Sequence, residues 1–103
     1  GITRENLIID PGFGFGKTLQ QNLQLLNSLS DFKVLDLPLL IGISRKSMLG
    51  LILDKPVEDR IYASLSAAVI AAQAGADIIR VHDVNETRDA LAVVQALRLT
   101  DPL

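Results

Sequence analysis

The chain contains no cysteine and a single histidine, His82, among its 103 residues. Without thiols it forms neither disulfides nor cysteine-ligated metal sites, and one imidazole cannot build a site of several histidines. The absence of cysteine is compatible with a reducing compartment, and the opening residues GITREN lack the basic and apolar regions of a signal peptide. We therefore expect a cytoplasmic protein with no metal site of its own.

The sequence also lacks an excess of one charge and a long uninterrupted apolar run. Ten Lys and Arg residues against twelve Asp and Glu residues leave a net charge of −2, whereas nucleic-acid binding needs a clustered basic face. The most apolar stretch, residues 62–79, is rich in alanine and carries polar side chains, so we expect a packed helix and a strand there. Neither a nucleic acid nor a membrane is an expected partner.

Three short apolar runs are present, and each ends in a polar cluster. They read LIIDPGFGFGK at residues 7–17, LLIGISRKS at 39–47 and IIRVHD at 78–83. Apolar runs of this length, bounded by turn residues, are typical of strands buried on both faces. The strands are predicted at the start of each run, over residues 7–9, 39–43 and 78–81.

Apolar residues at helical spacing follow each predicted strand and indicate three helices. The first helix is predicted at residues 18–30, with leucines at positions 19, 23, 26 and 29 on its apolar face. Pro56 suits the first turn of the second helix and Gly75 its end, while Asn85 is a good N-cap for the third. The roughly ten residues before Pro56 are predicted to be a loop.

The predicted order is β-α-β-α-β-α, which defines an α/β fold with a parallel sheet and right-handed crossovers. The polar clusters would then meet at one edge, because the carboxyl ends of parallel strands share a face. A closed (β/α)8 barrel needs about 250 residues. We therefore expect a segment of a TIM (β/α)8 barrel that is incomplete in this chain.

The first cluster is a glycine-rich loop, DPGFGFGKT, that fits neither common phosphate-binding motif. Pro11 stands where a P-loop needs its leading glycine, and the glycine spacing differs from a dinucleotide fingerprint. Phe13 and Phe15 would suit the wall of a pocket for a flat aromatic ligand. Asp10 could accept hydrogen bonds from an amino-heterocycle or cap its own turn, and the sequence leaves both roles open.

The other two clusters each have a structural and a functional interpretation. SRKS at residues 44–47 is either a solvated basic loop or, through backbone N–H groups at a helix start, an anion site. Arg80 and His82 alternate along a strand and share a face, with Val81 on the other. A buried Arg80 would need an anion, either a phosphate or a structural carboxylate.

Together, the segments DPGFGFGK, GISRKS and RVHDV resemble the dihydropteroate synthase family in order, spacing and strand-end placement. The resemblance implies a (β/α)8 barrel, with residues 1–103 as the carboxyl-terminal part of this pterin-binding domain and its last three βα units. It implies a transferase of folate biosynthesis that condenses hydroxymethyl-dihydropterin pyrophosphate with p-aminobenzoate, giving dihydropteroate and pyrophosphate.

The resemblance also implies a role for individual residues. Asp10 and Lys46 would be the catalytic residues. The pterin would be bound by Asp10, Lys46, Gly14 and Gly42, p-aminobenzoate by Phe15, Ser44, Arg45 and Ser47, and pyrophosphate by Arg80 and His82.

The same resemblance implies Mg²⁺ as cofactor, sulfonamides as inhibitors and a homodimer of the full-length enzyme. The magnesium ligand and further substrate contacts would lie on earlier strands outside these residues, so we expect the chain to be inactive alone. Two alternatives stay open. One is a pterin-binding methyltransferase barrel, which would not need the SRKS loop, and the other is a non-catalytic assembly fragment whose exposed sheet edges pair with another chain.

Overall fold

A computed structural model describes residues 7–14, 16–44 and 46–103, without the side chains at positions 47, 48 and 51. Within these ranges four α-helices alternate with short strands and 3-10 helices. In chain order the elements are α1 (Leu19–Asn27), a first 3-10 helix (Leu29–Leu35), β1 (Leu40–Ile41), α2 (Ser47–Leu53), a second 3-10 helix (Val57–Asp59), α3 (Ile61–Gln73), β2 (Ile78–Ile79) and α4 (Val84–Arg98). No helix in the described part of the chain is long and apolar enough to cross a membrane.

A small parallel sheet is centred on β1. Two residue pairs set its register with β2: Leu40 with Ile78, and Ile41 with Ile79. On the opposite edge, Ile9 forms a parallel bridge to Leu39. The Leu40 N–H donates to the Ile9 carbonyl at 2.8 Å. The predicted α/β arrangement with parallel strands is confirmed, although the paired segments are shorter than predicted.

The core lies between this sheet and the helices. Its buried members are Phe13, Leu29, Leu39, Ile41, Ile43, Leu49, Ala67 and Ala71. The alanines of α3 have small side chains, which let the helix backbone approach the sheet closely. The apolar face of α1 was predicted to include Leu23, but that side chain is exposed and Asn22 is buried instead.

Helix α1 starts at a capping box and is shorter than predicted. The Thr18 hydroxyl accepts a hydrogen bond from the Gln21 N–H at 3.1 Å, and the Gln21 side chain accepts one from the Thr18 N–H at 2.9 Å. The helix ends at Asn27, because the chain tightens into the first 3-10 helix, which places Leu29 in the core.

The predicted end of α3 at Gly75 is confirmed, and the chain forms a Schellman motif there. Gly75 has a φ of +106°, its N–H donates to the Ala72 carbonyl, and the Ala76 N–H donates to the Ala71 carbonyl. The aliphatic stem of Lys33 lies directly over Gly75. This glycine therefore allows both the positive φ and the close approach of the 3-10 helix.

Asp77 connects three elements at the amino-terminal end of the sheet. Its Oδ2 accepts hydrogen bonds from the Lys33 ammonium at 2.7 Å and from the Leu39 N–H at 2.9 Å. The hydrogen bond from Lys33, followed by that from Leu39, stabilises the carboxylate and holds the pKa of Asp77 below its usual value. The side chain remains about half exposed, so solvent weakens the ion pair.

Three predicted boundaries were wrong. Residues 47–53 form α2 rather than a loop, because Leu49 anchors this segment in the core. Pro56 precedes the second 3-10 helix, and α3 begins only at Ile61. Asn85 lies within the first turn of α4, whose N-cap is Asp83.

Replacing Gly75 with alanine should destabilise the fold more than the same change at Gly16. Both glycines have positive φ, which costs an L-residue about 1–2 kcal/mol. A Cβ at Gly75 would also lie 3.0 Å from the Lys33 stem, whereas a Cβ at Gly16 meets nothing within 4 Å. Urea unfolding of both variants measures the difference, and equal losses would contradict the packing described for Lys33.

Asp77→Asn should weaken the loss of folding stability that occurs as the pH falls into the acid range. The folded-state pKa of Asp77 is lowered, so its contribution is present above its unfolded pKa of about 4 and is lost as pH falls through the folded value. Urea midpoints between pH 7 and 2 should fall less steeply for Asp77→Asn than for the parent chain. Asp89→Asn, at an exposed site on α4, is the control and should keep the parent slope.

Candidate active site at the strand ends

A cavity of about 440 Å³ lies beyond the carboxyl ends of β1 and β2. The parallel register places the residues that follow Ile41 beside those that follow Ile79. Five of the residues predicted from the sequence line this cavity: Gly42, Ser44, Lys46, Arg80 and His82. Val57 and Val81 complete the lining.

Two further predicted residues, Asp10 and Gly14, lie near Lys46, which lines the cavity. A Cβ on Gly14 would lie 3.6 Å from the Lys46 Cδ, and the Asp10 carboxylate is close enough to influence the Lys46 pKa. The sheet therefore brings residues from all three clusters together. Phe15, Arg45 and the side chain of Ser47 were also predicted for the site, but they lie outside the described residues.

Side chains hold the glycine-rich loop, because the Gly12 carbonyl and the Gly14 N–H have no partner in a neighbouring strand. The Lys17 ammonium donates to the Gly12 carbonyl at 2.8 Å, and the Gly14 N–H donates to the Asn22 Oδ1 at 2.9 Å. Asp10 Oδ1 accepts from the Gly12 N–H at 3.0 Å, so the aspartate does cap its own turn. Asp10 is nevertheless exposed, and its carboxylate can still meet a ligand.

Phe13 does not line the cavity, contrary to the prediction for it. Its ring is 1% exposed and belongs to the core. Burying the ring places the Phe13 carbonyl within reach of Lys46, whose ammonium donates to it at 2.7 Å. The phenylalanine therefore anchors the loop, and its backbone rather than its ring contacts the site.

Arg80 is exposed, so the prediction that it is buried was wrong. Its guanidinium lies against Gly42, where a Cβ would be 2.6 Å from Nη2. In the described part of the chain no carboxylate forms an ion pair with it. Val81 lines the same cavity as Arg80, and it also lines a small cavity on the α3 side with Ala68, so the predicted alternation does not separate it fully from Arg80 and His82.

Ser44 and His82 are joined directly across the two strands. The Ser44 Oγ lies 3.2 Å from the His82 backbone nitrogen, which donates to it, and 3.0 Å from the ring Nδ1. Ser44 is 9% exposed, while His82 is exposed and lines the cavity. The serine is therefore the inner member of the pair.

Burial is the largest influence on Lys46 and lowers the pKa of its ammonium. The positive charges of Arg80 and, more weakly, of Lys17 lower this pKa further, whereas the Asp10 carboxylate raises it. The pKa of Lys46 thus depends on charged groups from both neighbouring strand ends.

Sequence reasoning missed Asn22, which is 3% exposed and holds the Gly14 N–H. A signal for it was present. Position 22 lies three residues after Leu19 and four before Leu26, so an amide side chain occupies an otherwise apolar helical stripe. Buried polar side chains in such positions are almost always hydrogen-bonded to something specific.

The residues described around this cavity do not supply a metal site. Among residues 7–14, 16–44 and 46–103, no group of three or more His, Asp or Glu side chains could hold a metal ion.

Known proteins resemble the chain in sequence. A family model described as "Pterin binding enzyme" matches residues 1–82. Dihydropteroate synthase of Haemophilus influenzae is 57% identical over 96 residues, which are 93% of this chain and 35% of that protein. The enzyme of Escherichia coli K12 is 55% identical over 96 residues, which are 93% of this chain and 34% of its own length. The chain thus spans about a third of these relatives.

Solved structures agree with the sequence matches. A Yersinia pestis DHPS with a pterine-sulfa conjugate superposes with a TM-score of 0.95 at 53% identity, covering 97% of this chain and 39% of that one. A Coxiella burnetii dihydropteroate synthase in complex with pteroic acid superposes with a TM-score of 0.92 at 46% identity. The match covers 98% of this chain and 38% of that one. The resemblance predicted from the three clusters is confirmed, and the chain belongs to the pterin-binding enzyme family.

Proposed function

We propose that the chain is the carboxyl-terminal part of a dihydropteroate synthase, with residues 1–103 as the last three βα units of its (β/α)8 barrel. The observation that carries the proposal is the single cavity lined by Lys46, Arg80 and His82, with Asp10 beside Lys46. High identity to proteins named dihydropteroate synthase supports it.

Exposed apolar residues in and beside the sheet support the barrel part of this proposal. Ile8 is 55% exposed and Ile78 is 41% exposed, although each belongs to an apolar strand-forming run. Apolar strands of this kind are normally covered on both faces. Further strands of a barrel would cover these side chains and would add the remaining substrate contacts.

Arg80 and His82 are assigned to the pyrophosphate of the pterin substrate. A guanidinium presents a planar fork of donors to phosphate oxygens, and an imidazole adds another donor. When the bond between the pterin methylene and its oxygen breaks, the electron pair leaves with pyrophosphate. Positive charge at Arg80 and hydrogen bonding from His82 stabilise the leaving group as its charge develops.

Asp10 is assigned to the pterin ring. Its carboxylate can accept hydrogen bonds from an amino-heterocycle, and its negative charge favours the cationic methylene that remains after pyrophosphate departs. The amine of p-aminobenzoate then attacks that methylene, forms the new carbon–nitrogen bond and loses a proton. No residue of the chain has to act as a nucleophile.

Lys46 is assigned to the boundary between the pterin and p-aminobenzoate. Its ammonium extends from the second strand end to the Phe13 carbonyl in the glycine-rich loop, and this contact supports the assignment. Gly14 and Gly42 leave space beside Lys46 and Arg80 respectively. By resemblance, Phe15, Ser44, Arg45 and Ser47 would contact p-aminobenzoate.

The proposal includes a homodimer of the full-length enzyme. The described residues do not form a site for Mg²⁺, so no step is assigned to the metal here. A pterin-binding methyltransferase is less favoured. It would have no need for the SRKS loop, whose Lys46 bridges the two strand ends in this structure.

A chimera tests the proposal. The chain replaces the matching third of the Haemophilus influenzae enzyme, and formation of dihydropteroate is measured. We expect turnover, saturable by p-aminobenzoate, and tight sulfonamide binding. The chain alone should be inactive. A folded chimera without turnover and without sulfonamide binding would contradict the proposal, and corrinoid-dependent methyl transfer would favour the methyltransferase.

Within this chimera Lys46→Met should lower kcat/KM roughly 100-fold, because a preorganised donor at the reacting groups is lost. Lys55→Met is the matched control. Lys55 is an exposed lysine of the neighbouring loop, so its removal changes the net charge equally and should leave turnover unchanged. Equal effects of the two variants would contradict the role of Lys46.

The pKa of Lys46 should respond to its neighbours in opposite directions. Arg80→Met removes a positive charge and should raise it, whereas Asp10→Asn removes a negative charge and should lower it further. NMR titration of the ¹³Cε-labelled lysines in the 103-residue chain measures both shifts, with assignment by Lys46→Met. Shifts of the same sign would contradict the described arrangement.

A further inference from the structure

We propose that Ser44 is a positioning residue for His82, which fixes the imidazole so that its Nε2–H is the donor presented to pyrophosphate. The proposal rests on the proposed function and deepens it. It differs from the role that resemblance gives Ser44, which is contact with p-aminobenzoate.

The Ser44 hydroxyl can serve both contacts with His82, accepting in one and donating in the other. The His82 backbone N–H donates to the Ser44 Oγ at 3.2 Å, which uses the hydroxyl as an acceptor. The hydroxyl proton is then available for the ring Nδ1 at 3.0 Å. A hydroxyl that donates to Nδ1 requires that nitrogen to be unprotonated, so the neutral ring carries its proton on Nε2.

Burial makes this contact persistent. Ser44 is 9% exposed and lies in the turn that follows β1, after the buried residues Gly42 and Ile43. A solvent-exposed serine could exchange its partner for water, but an inner hydroxyl loses hydrogen bonding if the ring turns away. The outer member, His82, lines the cavity together with Arg80.

The consequence concerns the leaving group. With Nδ1 engaged by Ser44, Nε2 is the ring nitrogen left for a ligand in the cavity. A fixed Nε2–H donor beside the Arg80 guanidinium requires no reorientation when charge develops on the pyrophosphate oxygens. Ser44 would thus assist the departure of pyrophosphate indirectly, by orienting His82. Removing the Ser44 hydroxyl should not change the affinity for p-aminobenzoate.

The contact itself can be tested without any enzymatic activity, because His82 is the only histidine. The imidazole ¹⁵N resonances of the labelled 103-residue chain therefore need no assignment. Ser44→Ala should shift the Nδ1 resonance toward the value of an unbonded nitrogen, and Ser44→Thr should restore much of the parent value. Ser66→Ala, which removes an exposed serine hydroxyl on α3, should leave it unchanged.

The functional part is tested in the chimera by a double-mutant cycle. Ser44→Ala should lower kcat/KM for the pterin substrate roughly tenfold, the loss expected for one hydrogen bond, with the KM for p-aminobenzoate unchanged. In the His82→Ala background the same change should have little further effect.

The outcomes separate the two proposals. An unchanged Nδ1 resonance in Ser44→Ala, or a raised KM for p-aminobenzoate with additive effects, would overturn the positioning role. A parent chimera without turnover would overturn the proposed function, while the Nδ1 resonance would still decide whether Ser44 orients His82.

Discussion

The parallel pairing around β1 brings together the candidate site residues that the structure describes. Ile9 bridges to one edge of this segment and β2 pairs with the other, so three strand ends point in the same direction. Residues separated by more than thirty positions in the chain become neighbours for this reason alone. The contacts between Lys46 and Phe13 and between Ser44 and His82 each connect adjacent strand ends.

The second constraint is that these loops must satisfy their backbone groups without a strand partner. An unpaired buried N–H or C=O costs about 1–3 kcal/mol. The glycine-rich loop is held by its own Lys17, by Asn22 of the following helix α1 and by Lys46 from the second strand end. Stability and function are therefore coupled, because the lysine assigned to the substrates also holds the loop that carries Asp10.

Much of this arrangement could be predicted from the sequence, because its signals are local. Periodicity indicated the helices and Gly75 ended α3 as predicted, whereas Val81, expected on the other face, lines the same cavity as Arg80 and His82. The burial of Phe13 and the exposure of Arg80 could not be predicted, since both depend on packing between distant elements. The helix α2 was missed because Gly50 lowers its helical propensity, while Leu49 provides the tertiary contact that stabilises it.

We propose that three strand ends form one wall of a site for a pterin, an aromatic amine and pyrophosphate. A crystal structure of the chimera with bound pteroic acid tests it most directly. The account predicts the pterin ring against the Asp10 carboxylate, with the Lys46 ammonium between the ring and the benzoate. A ligand bound away from both residues would contradict it.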